Sequence, residues 1–477
     1  MKILMIASEV EPFAKVGGLG DVLGSLPNAL CAKGLDVRVV MPKFSRIPDK
    51  YKQVMKYKFN INVNLGWRSQ YCGVFEYVKN GVTYYFLDNE YYFGSEQIYG
   101  ASNDIERFCF FSRSSLDILP HLDFQPEVIH CHDWESAAVP ILFDAFYKNN
   151  DFYRNIKMVF TIHNLKYQGV FDKETINDFL TLPSRYYTEG CLEHYGDANL
   201  LKGAVAIANF VTTVSPTYSY EIREKIAGEG IDGLLRTRSE SLGGIINGIN
   251  YDIYSPQKDE HIAKKYTLRN YLTGKRENKL SLQKQLGLNI DKDIPLISII
   301  SRLTDQKGLD LIMAEIHALM NRNCQIVVLG TGERRYEDMF RKYAWDYSGR
   351  ISANIMFDEI LAHQIYAGSD IFLMPSLYEP CGLGQIISMA YGTIPVVRQT
   401  GGLKDTIIPY NQYTGEGNGF GFREYDALDM LGAIDKALEA FAQPKAWAQL
   451  VKNAMRCKYD WSKPAEDYLN IYSYLTK

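Results

Sequence analysis

Short runs of apolar residues, rich in valine and isoleucine, recur along almost the whole chain and alternate with stretches of helical spacing. Continuous apolar runs of this length are typical of strands that are buried on both faces of a parallel sheet. The pattern therefore predicts an α/β fold in which helices cover parallel sheets. The predicted strands fall in two series, the first over 2–8, 35–42, 82–88, 127–132, 157–163 and 210–215, and the second over 295–301, 324–330, 354–358, 369–375 and 394–397.

A glycine- and asparagine-rich stretch separates the two series of strands. This stretch, GGIINGINYDIYSP, covers residues 243–256, and a polar, charged region follows over 257–293. A chain of 477 residues is also too long for one ordinary core, so two or three domains are expected. We predict an N-terminal domain over 1–245, a C-terminal domain over 246–456 and a closing segment over 457–477.

The closing segment has the spacing of an amphipathic helix. Ser462 is its predicted N-cap, and Pro464 falls in the first turn, where proline is tolerated. The positions i, i+3, i+4 and i+7 share one largely apolar face, formed by Tyr468, Ile471, Tyr472 and Leu475. Such a face is expected to dock against another part of the protein.

Composition and charge limit which partners and which cellular compartment are expected for the protein. The formal net charge is -4 and no basic stripe is present, which argues against nucleic acid as a main partner. The N-terminal apolar run meets Glu9 and Glu11 at once, so it predicts a first strand and not a signal peptide. No apolar run approaches the roughly 18 residues of a membrane span. The eight cysteines are scattered without a CxxC pair, which favours reduced thiols in a cytoplasmic protein.

Charged and small residues follow the predicted strands of both series. In open parallel sheets, ligands bind beyond the carboxyl ends of the strands, so these residues are the candidates for chemistry. The first series leads into a loop with Glu9 and Lys15, into His132 and Asp133, and into His163 and Asn164; the second leads into Arg302 and Lys307, into Glu379, Gly382 and Gly384, and into Thr400 and its two glycines.

Two glycine-rich helix starts are candidates for holding phosphate. The stretch AKVGGLGDV places Lys15 and Gly18 before a predicted helix, and EPCGLGQ does the same with Gly382 and Gly384. A helix N-terminus offers unpaired N–H donors and a partial positive charge that attracts phosphate. Arg302 and Lys307 could clamp a diphosphate. Taken singly, each of these features is also explained by ordinary chain geometry and solvated basic side chains.

Several other interpretations fit less well. His130 and His132 straddle Cys131, and we expect strand alternation to send the two imidazoles to opposite faces, so that they cannot share a metal ion. Asp291-Lys292-Asp293 resembles the acidic motif of metal-dependent sugar transferases but precedes its strand. A nicotinamide dehydrogenase is disfavoured because Gly18 lies well beyond the end of the first strand. A non-catalytic glucan-binding protein stays open as an alternative.

A set of motifs, in order and at matching spacing over nearly the whole chain, resembles the bacterial glycogen synthases: KVGGLGDV (15–22), HDWES (132–136), TIHNLKYQGVF (161–171), TTVSPTYSYEI (212–222), NGIN (247–250), SRLTDQKGLDL (301–311) and EPCGLGQ (379–385). The resemblance implies the GT-B fold, in which two Rossmann-like domains face each other across a cleft and the final helix returns to the first. It further implies retaining transfer of glucose from ADP-glucose to the non-reducing end of an α-1,4-glucan such as glycogen, with no metal and no cofactor.

The resemblance also assigns roles to residues. His163 would lie beside the anomeric carbon, Asp133 near the reacting glucose and acceptor, and Glu379 against the glucose hydroxyls, while Arg302 and Lys307 would hold the diphosphate. Lys15 and Gly18 would approach the donor from the first domain. The remaining predicted substrate-binding residues are Asp21, Asn164, Asn247, Cys381, Gly382, Leu383 and Gly384, whose loop amides would face phosphate.

The chain departs from the family pattern at one position of that loop. The family usually has threonine in EPCGLTQ, whereas this chain has Gly384, which keeps the amide and loses the hydroxyl. Related transferases carry a second glutamate where this chain has Ile387, and we find no carboxylate to pair with Glu379. This favours attack on the front face of the sugar, with the leaving phosphate taking the acceptor's proton. The residues alone leave open whether the donor is ADP-glucose or UDP-glucose.

Overall fold

The computed structural model describes all 477 residues, which divide into two compact units. Unit 1 comprises Met1–Asn247 together with Trp461–Lys477, and unit 2 comprises Gly248–Asp460. Both ends of the chain therefore contribute to unit 1. The sequence placed the two divisions at about 245 and 456. No helix is both long and apolar enough to cross a bilayer.

Unit 1 is built on a nine-stranded sheet with a separate three-stranded sheet beside it. Its strands are β1 (Lys2–Ile6), β2 (Asp36–Pro42), β3 (Lys56–Leu65), β4 (Arg68–Lys79), β5 (Val82–Asp88), β6 (Val128–His132), β7 (Lys157–Ile162), β8 (Val170–Phe171), β9 (Glu193–His194), β10 (Asp197–Asn199), β11 (Phe210–Thr213) and β12 (Leu242–Gly244). Its first nine helices are α1 (Gly18–Ala32), α2 (Asp49–Lys52), α3 (Glu90–Phe93), α4 (Asp104–Asp117), α5 (Ala138–Leu142), α6 (Lys173–Leu180), α7 (Leu200–Ile207), α8 (Pro216–Glu221) and α9 (Asp232–Thr237).

The large sheet has the order β12-β11-β7-β6-β1-β2-β5-β4-β3. Its seven strands from β12 to β5 are parallel. Six of them are the strands expected from the sequence, and the seventh, the short edge strand β12, was not predicted. The expectation of a purely parallel sheet is wrong at one edge, where β3 and β4 form an antiparallel hairpin that pairs with β5. Because this hairpin is exposed on alternate positions of β3, its sequence lacks the continuous apolar run of a buried parallel strand.

Unit 2 is built on a six-stranded parallel sheet with helices around it. Its strands are β13 (Leu296–Ile300), β14 (Gln325–Leu329), β15 (Ile351–Asn354), β16 (Ile371–Met374), β17 (Ile394–Arg398) and β18 (Phe420–Phe422). Its helices are α10 (Tyr271–Gln285), α11 (Leu309–Met320), α12 (Arg334–Asp346), α13 (Glu359–Gly368), α14 (Gly384–Ala390), α15 (Gly401–Thr406), α16 (Ala427–Phe441) and α17 (Pro444–Arg456).

The strand order of unit 2, β15-β14-β13-β16-β17-β18, is that of a doubly wound Rossmann fold. One predicted strand is misplaced, since β15 covers Ile351–Asn354 and residues 355–358 of the predicted strand form a loop. In this loop Met356 and Phe357 are 47% and 73% exposed, so their apolar character marks a surface and not a sheet position.

Helix α18 (Ser462–Leu475) closes the chain and packs against α1 in unit 1. Tyr468 and Tyr472 are fully buried, whereas Ile471 and Leu475 at the same face are partly exposed. Ser462 is the first helical residue and Trp461 occupies the N-cap, so the predicted cap is one residue out of place.

Candidate functional site

In each parallel sheet, successive strands are added first on one side of the starting strand and then on the other. This change of side falls between β1 and β6 in unit 1 and between β13 and β16 in unit 2. At such a point the two following loops diverge, and a crevice opens beyond the carboxyl ends of the strands. The candidate residues of each unit lie in the loops at this crevice and are described unit by unit.

In unit 1, the loop after β1 is organised by a buried carboxylate. Glu9 Oε2 accepts hydrogen bonds from the backbone N–H groups of Val16 (2.5 Å) and Gly17 (2.9 Å), and Oε1 accepts one from the Tyr99 hydroxyl (2.6 Å). Those two N–H groups are therefore bound within the protein. The glycine-rich backbone does not present them to a ligand, and Gly18 is simply the first residue of α1.

The lysine of this loop is held by an acid in the helix that follows. Lys15 Nζ donates to Asp21 Oδ1 at 2.7 Å, and both side chains are about one fifth exposed, at 18% and 21%. A Cβ at Gly20 would lie 2.8 Å from Lys15 Cγ, so this glycine lets the lysine stem cross the first turn of α1. The structure thus brings the predicted residues Lys15 and Asp21 together as one ion pair.

Asp133 follows β6 with a positive φ of 57°, a conformation that few residues other than glycine adopt. Its Oδ1 accepts a 2.7 Å hydrogen bond from the backbone N–H of His163, which links the loops after β6 and β7. Burial raises the pKa of Asp133 from 3.8 to about 7, against the backbone hydrogen bonds from His163 and Asn164 that lower it, while the charge of Glu9 adds to the rise.

The neighbouring acid Glu135 is also buried, and one of its carboxylate oxygens, Oε2, has no hydrogen-bond partner. Burial, with the charge of Asp133 as the next cause, raises its pKa well above the ordinary value. Asn164, another predicted residue, follows His163 and its side-chain oxygen accepts the backbone N–H of Lys166 at 3.1 Å. Asp133, His163 and Asn164 therefore lie together at the ends of β6 and β7.

The expectation that His130 and His132 point to opposite faces of the sheet is wrong. Successive strand residues alternate, so residues two apart share a face, and the two rings lie with centroids 4.1 Å apart. His132 Nδ1 is 3.0 Å from Nε2 of His163. Burial lowers the pKa of His130 and of His163 to about 3, so these rings are neutral near pH 7. No group of three or more His, Cys, Asp or Glu residues in the chain could hold a metal ion.

A groove of about 400 Å³ opens beside this cluster and was not anticipated from the sequence. We call it the aromatic groove; it is lined by Trp134, Lys166, Tyr167, Gln168, Gly169, Val170, Phe171 and His194. Gly169 has a φ of 63°, and a Cβ there would lie 2.4 Å from the Trp134 ring. The aromatic residues within TIHNLKYQGVF were the available signal, but their contact with Trp134 depends on the small sheet formed by β8, β9 and β10.

In unit 2, the loops after β13 and β16 meet through a buried ion pair. Lys307 Nζ lies 2.7 Å from Glu379 Oε2, and the Ser376 hydroxyl donates to the same oxygen at 3.1 Å. The side chains of Lys307 and Glu379 are 16% and 7% exposed. Arg302, by contrast, is exposed at the start of the loop after β13. Two of the residues predicted from the sequence thus bind each other directly.

The glycine-rich loop after β16 leads into α14. Cys381 is buried, Gly382 has a φ of 70°, and Leu383 occupies the position before Gly384, the first residue of α14. The neighbouring loop after β17 packs on it: a Cβ at Gly401 would lie 1.9 Å from the Glu379 carbonyl oxygen, and the Gly402 N–H donates to that oxygen at 3.1 Å.

Gly384 is required by its surroundings. A Cβ at this position would lie 2.8 Å from Cε1 of Phe372 in β16, a contact closer than side chains tolerate. The threonine that the family usually has here would therefore collide with the Phe372 ring. The absence of a side chain at Gly384 thus leaves room for the Phe372 ring where the structure has it.

Asn247, predicted to bind substrate, is the last residue of unit 1 and is buried, and its Oδ1 has no hydrogen-bond partner. Phe357, which the sequence interpretation assigned to a strand, lies beyond the carboxyl end of β15 with 73% of its surface exposed. Its aromatic ring is a candidate surface for stacking a ligand, and only the corrected end of β15 reveals it.

Comparison with known proteins supports this two-unit architecture. Residues 2–237 match the model of the starch synthase catalytic domain, and residues 283–454 match that of the glycosyl transferases group 1. The chain is 48% identical over 472 residues to the glycogen synthase of Alkaliphilus metalliredigens, with 99% of each chain covered, and 48% identical over 477 residues to that of Clostridium botulinum, with full coverage of both.

Solved structures agree with these matches. The catalytic domain of starch synthase IV from Arabidopsis thaliana, bound to ADP and acarbose, has a TM-score of 0.93 and 32% identity, with 99% of each chain covered. A sucrose-phosphate synthase from Thermosynechococcus elongatus, with a TM-score of 0.63 and 18% identity, shares the fold. With its two doubly wound sheets, the chain is confirmed as an α/β protein of the GT-B class. The chain therefore belongs to the glycogen and starch synthases, a family of glucosyltransferases.

Proposed function

We propose that this protein transfers glucose from ADP-glucose to the 4-hydroxyl at the non-reducing end of an α-1,4-glucan, with retention of configuration. The observation that carries the proposal is the buried pair of Lys307 and Glu379 at the switch point of a Rossmann sheet, beside a glycine-rich loop. The starch synthase similar to this chain holds ADP, which supports ADP-glucose over UDP-glucose as the donor.

The reaction develops negative charge on the departing diphosphate and positive charge on the sugar ring. Lys307 and Arg302 supply fixed positive charge for the diphosphate, which stabilises the transition state more than the ground state. Glu379 holds the lysine in place and offers its second carboxylate oxygen to the glucose hydroxyls.

We infer that no enzyme carboxylate attacks the anomeric carbon. Retaining glycosidases use an ionised carboxylate for this step. Here one oxygen of Glu379 is ion-paired with Lys307 and the other is assigned to the glucose hydroxyls, while the pKa of Asp133, raised to about 7, leaves that carboxyl partly protonated and less nucleophilic near neutral pH. The acceptor oxygen bonds to the anomeric carbon on the face that the phosphate leaves, and its proton passes to a phosphate oxygen. A trapped glucosyl adduct on any side chain would contradict this mechanism.

A single assay tests the function. The protein is incubated with glycogen and radiolabelled ADP-glucose or UDP-glucose, with and without EDTA, and the polymer is then counted. We expect label from ADP-glucose, undiminished by EDTA and releasable by an α-glucosidase. Label from UDP-glucose alone would indicate the related UDP-glucose transferase, and glucan binding without transfer would indicate a non-catalytic glucan-binding protein.

We further infer that the protein acts in the cytoplasm, with the nucleotide sugar and the glucan as its partners and without nucleic acid or membrane. All eight cysteines are free in the structure, which suits a reducing compartment. The proposal needs no metal and no cofactor, and the EDTA arm of the assay tests the first of these points.

A further inference from the structure

Three histidines at the ends of β6 and β7, His130, His132 and His163, contact one another in a row. The rings of His130 and His132 lie 4.1 Å apart, and His132 Nδ1 is 3.0 Å from His163 Nε2. His130 and His132 are fully buried, whereas His163 at the end of the chain is partly exposed. Only His163 is therefore accessible at the candidate site, and the other two histidines are buried beneath it.

Both nitrogens of His130 are engaged by the protein. Its Nδ1 is 2.7 Å from the Tyr472 hydroxyl on α18, and its Nε2 is 2.6 Å from Thr161 Oγ1 in β7. Thr161 Oγ1 is in turn 2.5 Å from Thr212 Oγ1 in β11. The plane of His130 is thus fixed from two sides, and the ring of His132 packs on that plane.

His132 is different, because its second nitrogen, Nε2, is buried without a hydrogen-bond partner. A neutral imidazole carries its proton on one nitrogen only. If His132 Nδ1 accepted from His163, the His132 proton would sit on Nε2 as a buried N–H without an acceptor, and such orphaned donors are rare. If His132 Nδ1 donates, only a lone pair is left unpaired. The second arrangement requires His163 Nε2 to be the acceptor.

We propose that His132 is a positioning residue that donates its Nδ1 proton to His163 Nε2 and so fixes His163 as the Nδ1-protonated tautomer, with Tyr472 holding His132 in place through His130. His163 then offers a ring N–H donor, at Nδ1, to an oxygen of the transferred glucose. The inference rests on the proposed function because it uses the assignment of His163 to the transfer site. Burial keeps the pKa values of these histidines low, so the tautomer is that of a neutral ring.

The tautomer is measured directly on the full chain. Histidine ring nitrogens are labelled with ¹⁵N, and long-range ¹H–¹⁵N correlations distinguish protonated from bare nitrogens; the signals of His163 are those that vanish in His163→Gln. We expect a bare Nε2 and a protonated Nδ1 for His163. A protonated Nε2 would overturn the inference, and this experiment needs no variant that perturbs the core around His132.

Two substitutions of His132 separate a positioning role from mere packing. The amide of asparagine falls near the place of Nδ1, whereas that of glutamine falls near the place of Nε2. We expect His132→Gln to lower kcat by about 10- to 100-fold, the cost of leaving a His163 nitrogen without its partner, with KM within about threefold. His132→Asn should restore most of kcat. Equal loss in both variants, at equal melting temperature, would contradict the inference.

Two further variants test the hydrogen bond between His130 and α18. Tyr472→Phe removes the hydroxyl bound to His130, and Tyr468→Phe removes a hydroxyl from a neighbouring buried ring that stacks on Tyr472 at 6.1 Å. We expect kcat to fall by about twofold to tenfold in Tyr472→Phe alone, the worth of one hydrogen bond. Equal kcat in both variants would remove Tyr472 from the proposal. Lack of glucose transfer by the unmodified chain would count against the proposed function, whereas the tautomer experiment tests the inference alone.

Discussion

Several charged residues of the candidate site are already held by partners within the protein. Lys15 binds Asp21, Lys307 binds Glu379, and Asp133 accepts the backbone N–H of His163. At the scale of single residues, the sequence shows which charged side chains are present but does not show which of them bind each other. The pairing matters for function, because a charge held in place before the reaction stabilises a transition state without reorganisation.

The first prediction concerns the lysine of unit 2. Lys307→Gln removes the positive charge and leaves Glu379 buried without its ion-pair partner. Losing a charge-assisted contact costs about 1.5–3 kcal/mol, so kcat should fall by about tenfold to a few hundredfold. Steady-state kinetics with ADP-glucose measure it. The control Lys342→Gln removes the same charge from an exposed pair with Asp346 and should leave kcat unchanged; a near-normal kcat in Lys307→Gln would contradict the role in transfer.

The second prediction uses the raised pKa of Asp133. Between about pH 4 and pH 7 the folded protein holds a proton on this carboxyl that the unfolded chain has released, because the pKa rises from 3.8 to about 7 on folding. The contribution of Asp133 to the free energy of unfolding therefore falls as the pH rises through this window. Asp133→Asn has no such proton, and its side-chain oxygen can still accept the backbone N–H of His163.

The melting temperature of Asp133→Asn should accordingly depend less steeply on pH than that of the unmodified protein between pH 5 and pH 7. Thermal melts at several pH values measure the difference. Asp151→Asn, at a side chain that is 89% exposed, serves as the control and should leave the slope unchanged. Parallel curves for Asp133→Asn and the unmodified protein would show that the carboxyl is already ionised at pH 5.

At the scale of elements, α14 packs closely on β16 because Gly384, its first residue, has no side chain. Gly384→Thr would push a Cβ to within 2.8 Å of Phe372, and overpacking of a well-packed core costs about 1–3 kcal/mol. We expect a lower melting temperature for Gly384→Thr, recovered when Phe372→Leu is added. Gly432→Ala, at an exposed position in α16 with no atom within 4 Å of the new Cβ, should instead be neutral or stabilising. A fully stable Gly384→Thr would contradict the fit.

The sequence was sufficient for the elements whose signal is local. Buried parallel strands appear as continuous apolar runs, so β1, β2, β5, β6, β7, β13, β14, β16 and β17 could be placed to within a few residues. The hairpin of β3 and β4 could not, because half-exposed strands lack that run and their pairing partner is distant in sequence. Met356 and Phe357 led to the opposite error. They are apolar and were assigned to a buried strand, but they lie on the surface.

The sequence predicted which residues follow the strands, but not the contacts that those residues make. Loops after parallel strands meet at one edge of a sheet, so Asp133, His163, Lys307 and Glu379 were singled out because each follows a predicted strand. Their partners could not be, because the pair Lys307–Glu379 and the stack of His130 on His132 depend on side-chain directions. The aromatic groove was missed for the same reason, as the small sheet that borders it has two strands of only two residues each.

At the scale of the whole molecule, unit 2 is one continuous stretch of chain, whereas unit 1 needs both ends. We therefore expect a fragment over 248–460 to fold alone with a cooperative melt. A fragment over 1–247 should not, because it lacks α18 and exposes His130 together with the apolar face of α1. Circular dichroism of the two fragments tests this, and adding a peptide over 461–477 should restore the melt of the second. A cooperative melt for 1–247 alone would contradict the prediction.

The position of α18 also bears on how the chain is made. A ribosome delivers residues from the N-terminus onward, and domains fold as units while the chain emerges. Unit 2 is fully synthesised before α18 exists, so it can finish folding while unit 1 still waits for the residues that cover His130. A chain interrupted after residue 460 would consequently hold a folded unit 2 beside a unit 1 that lacks α18.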